Sequence, residues 1–165
     1  MNVLCCAACG LRLTEPVRRI DEMPEYPGWD GRPDAEGRRH GPASVPRGVY
    51  VVDPLPFGAP FEPCADEDED AYDGIVPGGM WMSDERGFLV SAGPCGTYVL
   101  HPLDVVDLGF HPDTSRISGC CGLSAHYGVN RVCSCGAEVA ITASDCSSGY
   151  ETRLVPDAVR VESAP

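Results

Sequence analysis

The chain contains no lysine and no glutamine, and all twelve of its basic residues are arginine. The absence of lysine excludes the enzyme classes that depend on this side chain: P-loop NTPases with a Walker A lysine, pyridoxal Schiff-base enzymes, and enzymes with a lysine nucleophile or general base. We attribute both absences to a GC-rich bacterial coding sequence rather than to a structural requirement.

Long hydrophobic runs are also missing. No segment approaches the roughly 20 apolar residues that a membrane-spanning helix needs. The first ten residues, MNVLCCAACG, lack both the basic flank and the apolar run that are typical of a secretory signal. We therefore expect a cytoplasmic protein with no membrane segment, in a compartment that keeps thiols reduced.

Positive charge is scarce. The sequence has 25 acidic and 12 basic residues, and its formal net charge is −13. Such an acidic surface repels phosphate backbones and disfavours nucleic-acid binding over a broad area, although local basic pairs such as Arg18-Arg19 and Arg38-Arg39 remain. If the protein has a partner, we expect a protein with a basic surface.

The length and composition predict one mainly β domain over residues 1–165. A chain of this length suits a single core, and 19 glycines with 16 prolines indicate many turns. The predicted fold is a small α+β arrangement of antiparallel strands with a short helix, long loops and a cysteine-rich metal site. Two polar segments, residues 21–48 and 62–78, are predicted to be loops or disordered insertions.

Apolar alternation predicts the positions of the strands. Strands are expected in residues 11–20, 48–53, 137–142 and 150–155, and a three-stranded meander over residues 79–100 is expected to form the main core. A short helix is predicted to begin at Pro102 and to end at Gly109. The acidic run at residues 66–70 lacks the ligand pattern of an EF-hand and is interpreted as solvated surface.

The ten cysteines are concentrated in two places. Three lie within residues 1–10, and five lie within residues 119–146. Clustered cysteines in a reducing compartment favour metal binding over disulfides. We therefore predict that these two regions meet at one structural zinc ion.

Three short turns have the composition of metal-binding turns: CAACG at residues 6–10, CCG at 120–122 and CSCG at 133–136. In each, a glycine follows the last cysteine, and such glycines let backbone amides face the sulfurs. The preferred ligands are Cys6, Cys9, Cys121 and Cys135, the leading substitutes are Cys120 and Cys133, and the next are Cys5 and Cys146. A second ion that uses His126 or Cys146 stays open. The isolated Cys64 and Cys95 are interpreted as buried apolar thiols.

The first of these turns resembles the knuckle of zinc-ribbon proteins. The other two depart from the Cys-x2-Cys spacing of that family, so the resemblance is limited to the cysteine turns. On these turns the chain is similar to small, uncharacterised bacterial zinc-ribbon-like proteins. The resemblance implies a structural zinc ion and brings no activity with it.

Enzymatic alternatives have less support. A site of four cysteines has no open coordination position, and the sequence contains neither His-Glu-x-x-His nor the zinc-deaminase pattern. Thiol redox motifs start a helix after a strand, whereas the residues after Cys9 look strand-like and Met1 to Cys5 look too short for a strand. The leading interpretation is a zinc-stabilised binding or interaction module. The alternatives are a thiol redox or zinc-dependent enzyme and a nucleic-acid-binding zinc ribbon.

Overall fold

The fold is mainly β, which confirms the predicted class. The computed structural model describes residues 1–33, 35–64, 82–146 and 148–164. Within these ranges the only helical segments are short 3₁₀ turns. None of the described helical segments is long and apolar enough to cross a bilayer.

Twelve strands are formed by the described residues. In chain order they are β1 (Asn2–Cys6), β2 (Arg18–Arg19), β3 (Val49–Asp53), β4 (Phe61–Pro63), β5 (Met82–Asp84), β6 (Gly87–Ser91), β7 (Thr97–Leu100), β8 (Gly109–Phe110), β9 (Arg131–Val132), β10 (Glu138–Ala143), β11 (Glu151–Leu154) and β12 (Val159–Ser163). The predicted strands at residues 48–53, 137–142 and 150–155 correspond to β3, β10 and β11.

These strands form three sheets. The largest has seven strands in the order β2-β3-β7-β11-β10-β9-β8, and all of its neighbours are antiparallel except the parallel pair β2 and β3. A second sheet pairs β1 with β12, and a third has the order β4-β6-β5. The β1–β12 pair joins the two ends of the described chain.

The main core lies between the β1–β12 pair and the seven-stranded sheet. Leu4 of β1 and Val159 of β12 pack with Leu100, Val139 and Leu154 of the large sheet. Burial of these apolar side chains is the main favourable term for the fold. Two cysteines of the candidate metal centre, described below, belong to the same buried cluster.

The predicted meander over residues 79–100 is wrong. Strands β5 and β6 do form a hairpin, but β6 pairs with β4, while β7 pairs with β3 and β11 in the large sheet. The chain changes sheets after Ser91, where Ala92 N–H donates to Pro60 O and Phe57 N–H to Pro94 O. Residues 79–81 lie outside the described residues. The main core therefore forms around the seven-stranded sheet instead.

The N-terminal residues form a strand, contrary to the expectation that Met1 to Cys5 are too short for one. All five residues of β1 pair with β12, from Asn2 opposite Ser163 to Cys6 opposite Val159. The partner comes from the far end of the chain, so no local pattern could indicate it. The presence of β1 is compatible with a thiol redox motif at Cys6 and Cys9, because such motifs follow a strand. They also start a helix, and in the described residues no helix starts directly after Cys9.

The predicted helix after His101 is a single 3₁₀ turn over Pro102–Asp104. It ends early because Val105 and Val106 take extended pairings: Val105 forms a bridge with Thr14, and Val106 N–H donates to Leu13 O at 2.8 Å. β-Branched residues favour such extended positions.

The long segment of residues 21–48 has no strand within its described parts. It contacts the large sheet through the isolated bridge from Ala43 to Tyr150 and through Val45, which is buried against Val51 and Val99. The other predicted insertion is residues 62–78. Its residues 65–78, which include the acidic run at 66–70, lie outside the described residues. The assignment of residues 1–165 to one domain stays a prediction.

Arg153 forms the most buried ion-pair network of the described residues. Its side chain bonds to Glu151, Asp53 and Thr97, and its guanidinium lies 3.8 Å from the ring centroid of Phe57. The exposed fraction of Arg153 is only 7%. Among the described residues, Arg153 is the cation with which both carboxylates form ion pairs.

We expect Arg153→Ala to lower the free energy of unfolding by about 3–5 kcal/mol, because it leaves two poorly solvated carboxylates without their counter-charge. Chemical denaturation measures the change. The control is Arg86→Ala, which removes an exposed ion pair with Asp84 and should leave stability nearly unchanged. Equal effects of the two substitutions would contradict the structural role given to Arg153.

Candidate metal centre

Four cysteines from the two ends of the chain converge beside the main core. Cys6 is the last residue of β1, and Cys9 lies in the turn after it. Cys133 follows β9, and Cys135 lies in the turn before β10. The four Sγ atoms all lie within 4.8 Å of one another.

The spacing of these sulfurs fits a tetrahedral zinc ion. The Sγ atoms of Cys6 and Cys135 are 3.7 Å apart, and those of Cys9 and Cys133 are 3.6 Å apart. A Zn–S bond of about 2.3 Å in a tetrahedron places neighbouring sulfurs about 3.8 Å apart. The two measured separations therefore agree with a tetrahedral sulfur site, and thiolates are among the soft ligands that zinc prefers.

The two cysteine turns are closed in the same way. Cys6 N–H donates to Leu11 O at 2.8 Å, and Cys133 N–H donates to Ala137 O at 2.9 Å. The first turn encloses one more residue than the second. A Cys-x-Cys pair in the shorter turn thus presents two sulfurs to the same point as the Cys-x2-Cys pair in the longer one.

The glycine after each pair has the conformation that the turn requires. Gly10 has a φ of 76°, and Gly136 has a φ of 88°. Residues with a side chain rarely adopt this left-handed region. The N–H groups of Gly10 and Gly136 donate to Cys6 O and Cys133 O, respectively, each at 2.8 Å.

The cluster is buried on one side and exposed on the other. Cys6 and Cys133 have exposed fractions of 0% and 1%, whereas Cys9 and Cys135 are exposed. A hydrogen bond from the Leu11 amide lowers the pKa of Cys9, but desolvation and the three neighbouring thiols together raise this pKa to about 12. The Cys9 thiol therefore retains its proton until a bound cation displaces that proton.

A second cluster contains Cys120, Cys121 and Cys146, whose Sγ atoms also lie within 4.8 Å of one another. The sulfurs of Cys120 and Cys121 are 3.8 Å apart. Cys120 and Cys121 are exposed, and Cys146 is half-buried. A hydrogen bond to Asp145 is the largest cause of the raised pKa of Cys146, which reaches about 12 with contributions from Cys121, desolvation and Cys120.

A buried carboxylate fixes the loop that carries this second cluster. Asp145 is 3% exposed, and its Oδ2 accepts the backbone N–H of Cys120 at 2.6 Å. The same loop is attached to the end of β10 by reciprocal bonds: Leu123 N–H donates to Ser144 Oγ at 3.0 Å, and Ser144 N–H donates to Leu123 O at 2.9 Å. The loop conformation is thus defined by protein contacts.

The structure distributes the predicted ligands over both clusters. It brings Cys6, Cys9 and Cys135 together with Cys133, a predicted substitute, and it places Cys121 with Cys120 and Cys146. Which of these residues bind a metal stays a prediction. The shared closing bonds show how Cys133-x-Cys135 can face the first turn despite its shorter spacing. The glycines do not identify this pairing in the sequence, because Gly122 follows Cys121 in the same way that Gly136 follows Cys135.

The remaining candidate residues lie in neither cluster. Cys5 is buried, and it alternates with Cys6 along β1. His126 packs against Phe61, with ring centroids 5.3 Å apart. Cys64 is half-buried and Cys95 is exposed, so the expected burial of Cys95 is wrong.

No model of a known protein family, no curated protein and no solved structure matches this chain. The resemblance to zinc-ribbon proteins therefore rests on the cysteine turns alone. What the structure establishes is two groups of cysteines that can hold a metal ion.

Asp145 offers a local test of the second loop. We expect Asp145→Ala to accelerate hydrogen exchange of the Cys120 amide by about tenfold or more, because it removes a charged acceptor from a buried hydrogen bond. Amide exchange measured by NMR gives the rate. Asp113→Ala, which removes an exposed acceptor from Ser115 N–H, is the control and should leave the Cys120 amide protected. Unchanged protection in Asp145→Ala would argue against the anchoring contact.

Proposed function

We propose that Cys6, Cys9, Cys133 and Cys135 bind one structural zinc ion, and that the protein is a zinc-stabilised interaction module of the cytosol. The observation that supports the zinc site is the convergence of four thiols from opposite ends of the chain at separations of 3.6–3.7 Å across the cluster. A four-thiolate site has no free coordination position, so the ion is structural rather than catalytic.

The position of the site explains what the ion stabilises. Cys6 and Cys133 belong to the same buried cluster as Leu4 of β1 and Val139 of β10. An ion bound here links the N-terminal strand to the large sheet across 124 residues, from Cys9 to Cys133. Closing so long a loop in the unfolded chain is entropically costly, and metal binding therefore contributes directly to folding.

An interaction role is supported by the charge of the chain. A net charge of −13 favours association with a basic protein surface and opposes binding to nucleic acid. Three exposed acidic residues, Asp21, Glu22 and Glu25, lie close together in sequence after β2. They make residues 21–25 the proposed contact region for a basic partner. Binding should weaken with added salt and on replacement of these three residues by their amides.

We expect Cys9→Ser and Cys135→Ser each to contain one zinc ion per chain fewer than the wild-type protein, because a hydroxyl is a poor zinc ligand. Elemental analysis of protein purified under reducing conditions measures the content. Cys95→Ser is the matched control, since Cys95 is exposed and lies in neither cluster. Wild-type zinc content in both Cys9→Ser and Cys135→Ser would remove these residues from the site.

Removal of zinc by excess chelator is expected to unfold much of the chain, because metal-binding free energies of about 10 kcal/mol or more match the whole stability of a typical domain. Circular dichroism follows the loss of structure, and alkylation with mass spectrometry follows the thiols. Cys6 and Cys9 should be unreactive before chelation and reactive afterwards. A reactive pair before chelation that oxidises to a disulfide would favour the redox alternative instead.

A further inference from the structure

We propose that Cys120, Cys121 and Cys146 form a second zinc site, with three thiolate ligands and a fourth coordination position open to solvent. None of these residues belongs to the four-cysteine site, so each proposal can be tested independently of the other. The second site differs from the first in its exposure, its number of ligands and its chemistry.

The spacing of the three thiols is compatible with three sulfur ligands on one ion. Zn–S bonds of about 2.3 Å require sulfurs about 3.8 Å apart in a tetrahedron and about 4.0 Å apart in a planar triangle. The Sγ atoms of Cys120 and Cys121 are 3.8 Å apart, and all three lie within 4.8 Å of one another. On binding, each thiol releases its proton to solvent and becomes a thiolate ligand.

The loop that carries two of these thiols is preorganised. A side chain at Gly119 would clash with Gly122 O and Asp145 Oδ2, and one at Gly122 would clash with Ser144 O. The backbone therefore lies directly on residues 144–145, where Asp145 accepts the Cys120 N–H. Such outer contacts orient metal ligands, and here they position Cys120 and Cys121 beside Cys146 without help from an ion.

The described residues supply no fourth ligand at this site. In the described part of the chain, no further cysteine, histidine or carboxylate lies within 4.8 Å of all three sulfurs. Cys120 and Cys121 are also exposed, so water or an external ligand has access to the ion. Three protein ligands and one exchangeable position are the arrangement that catalytic zinc sites use, in contrast to closed structural sites.

Nearby positive charge suits this arrangement. Three thiolates and one Zn²⁺ carry a net charge of −1. Cys121 lines a surface depression together with Arg38, Arg39 and His40, in a chain that is otherwise strongly acidic. The guanidinium of Arg38 also lies 3.0 Å from a carboxylate oxygen of Glu36, which offsets part of its charge. The remaining positive charge of Arg38 and Arg39 reduces the net negative charge around the zinc–thiolate group, and guanidinium groups favour a carboxylate or phosphate as the external ligand.

The test is the zinc content of matched variants purified under reducing conditions. The wild-type protein is expected to contain two zinc ions per chain, Cys121→Ser and Cys146→Ser one each, and the control Cys95→Ser two. A single wild-type ion that Cys9→Ser loses and Cys146→Ser retains would overturn the second site and leave the first one standing. A single wild-type ion that Cys146→Ser loses and Cys9→Ser retains would overturn the first site and support the second.

Two further measurements on the wild-type protein keep the proposal testable if a variant fails to fold. Zinc should protect Cys120, Cys121 and Cys146 from alkylation, as mapped by mass spectrometry. Transfer of zinc to EDTA should be biphasic, with one ion per chain leaving at least about tenfold faster than the other, because EDTA can enter an open coordination position. Full alkylation of these three thiols in zinc-loaded protein, or a disulfide among them, overturns the site. A single release phase for two ions overturns the open position.

Discussion

The pairing of β1 with β12 is the constraint on which the rest of the structure depends. This pair brings residues from both ends of the described chain into one two-stranded sheet, and its apolar face packs on the seven-stranded sheet. The same packing places Cys6 beside the turn between β9 and β10. Without this packing, the two cysteine pairs, which are far apart in the sequence, would not meet in space.

The two clusters represent two different ways to position thiols. In the first, hydrogen-bonded turns of unequal length present two cysteines each, and the cluster is completed only when distant strands pack together. In the second, the protein itself anchors the cysteine loop through Asp145 and Ser144. We relate this difference to the proposed roles: an ion in the first cluster stabilises the fold, whereas an ion in the second is held by a loop that the fold already supports.

The sequence predicted those features that depend on neighbouring residues. Strands β3, β10 and β11 each carry a clear apolar pattern, and the glycine after each cysteine pair indicated the turns. The sequence could not indicate features set by distant contacts: the pairing of β1 with β12, the change of sheet between β6 and β7, and the separation of Cys121 from Cys135. The sequence left open which cysteines face the first turn, because Cys120-Cys121 and Cys133-x-Cys135 both depart from the Cys-x2-Cys spacing and the bonds that close each turn are visible only in the structure.

The uneven burial of the four-cysteine cluster has a consequence for the kinetics of metal exchange. Cys9 and Cys135 face solvent, while Cys6 and Cys133 lie in the core. At the zinc site proposed for this cluster, a competing chelator or a zinc-accepting protein would reach the ion only from the solvent side. The thiolates of Cys9 and Cys135 would be replaced first and those of Cys6 and Cys133 last, so the ion would leave through a single face of the molecule.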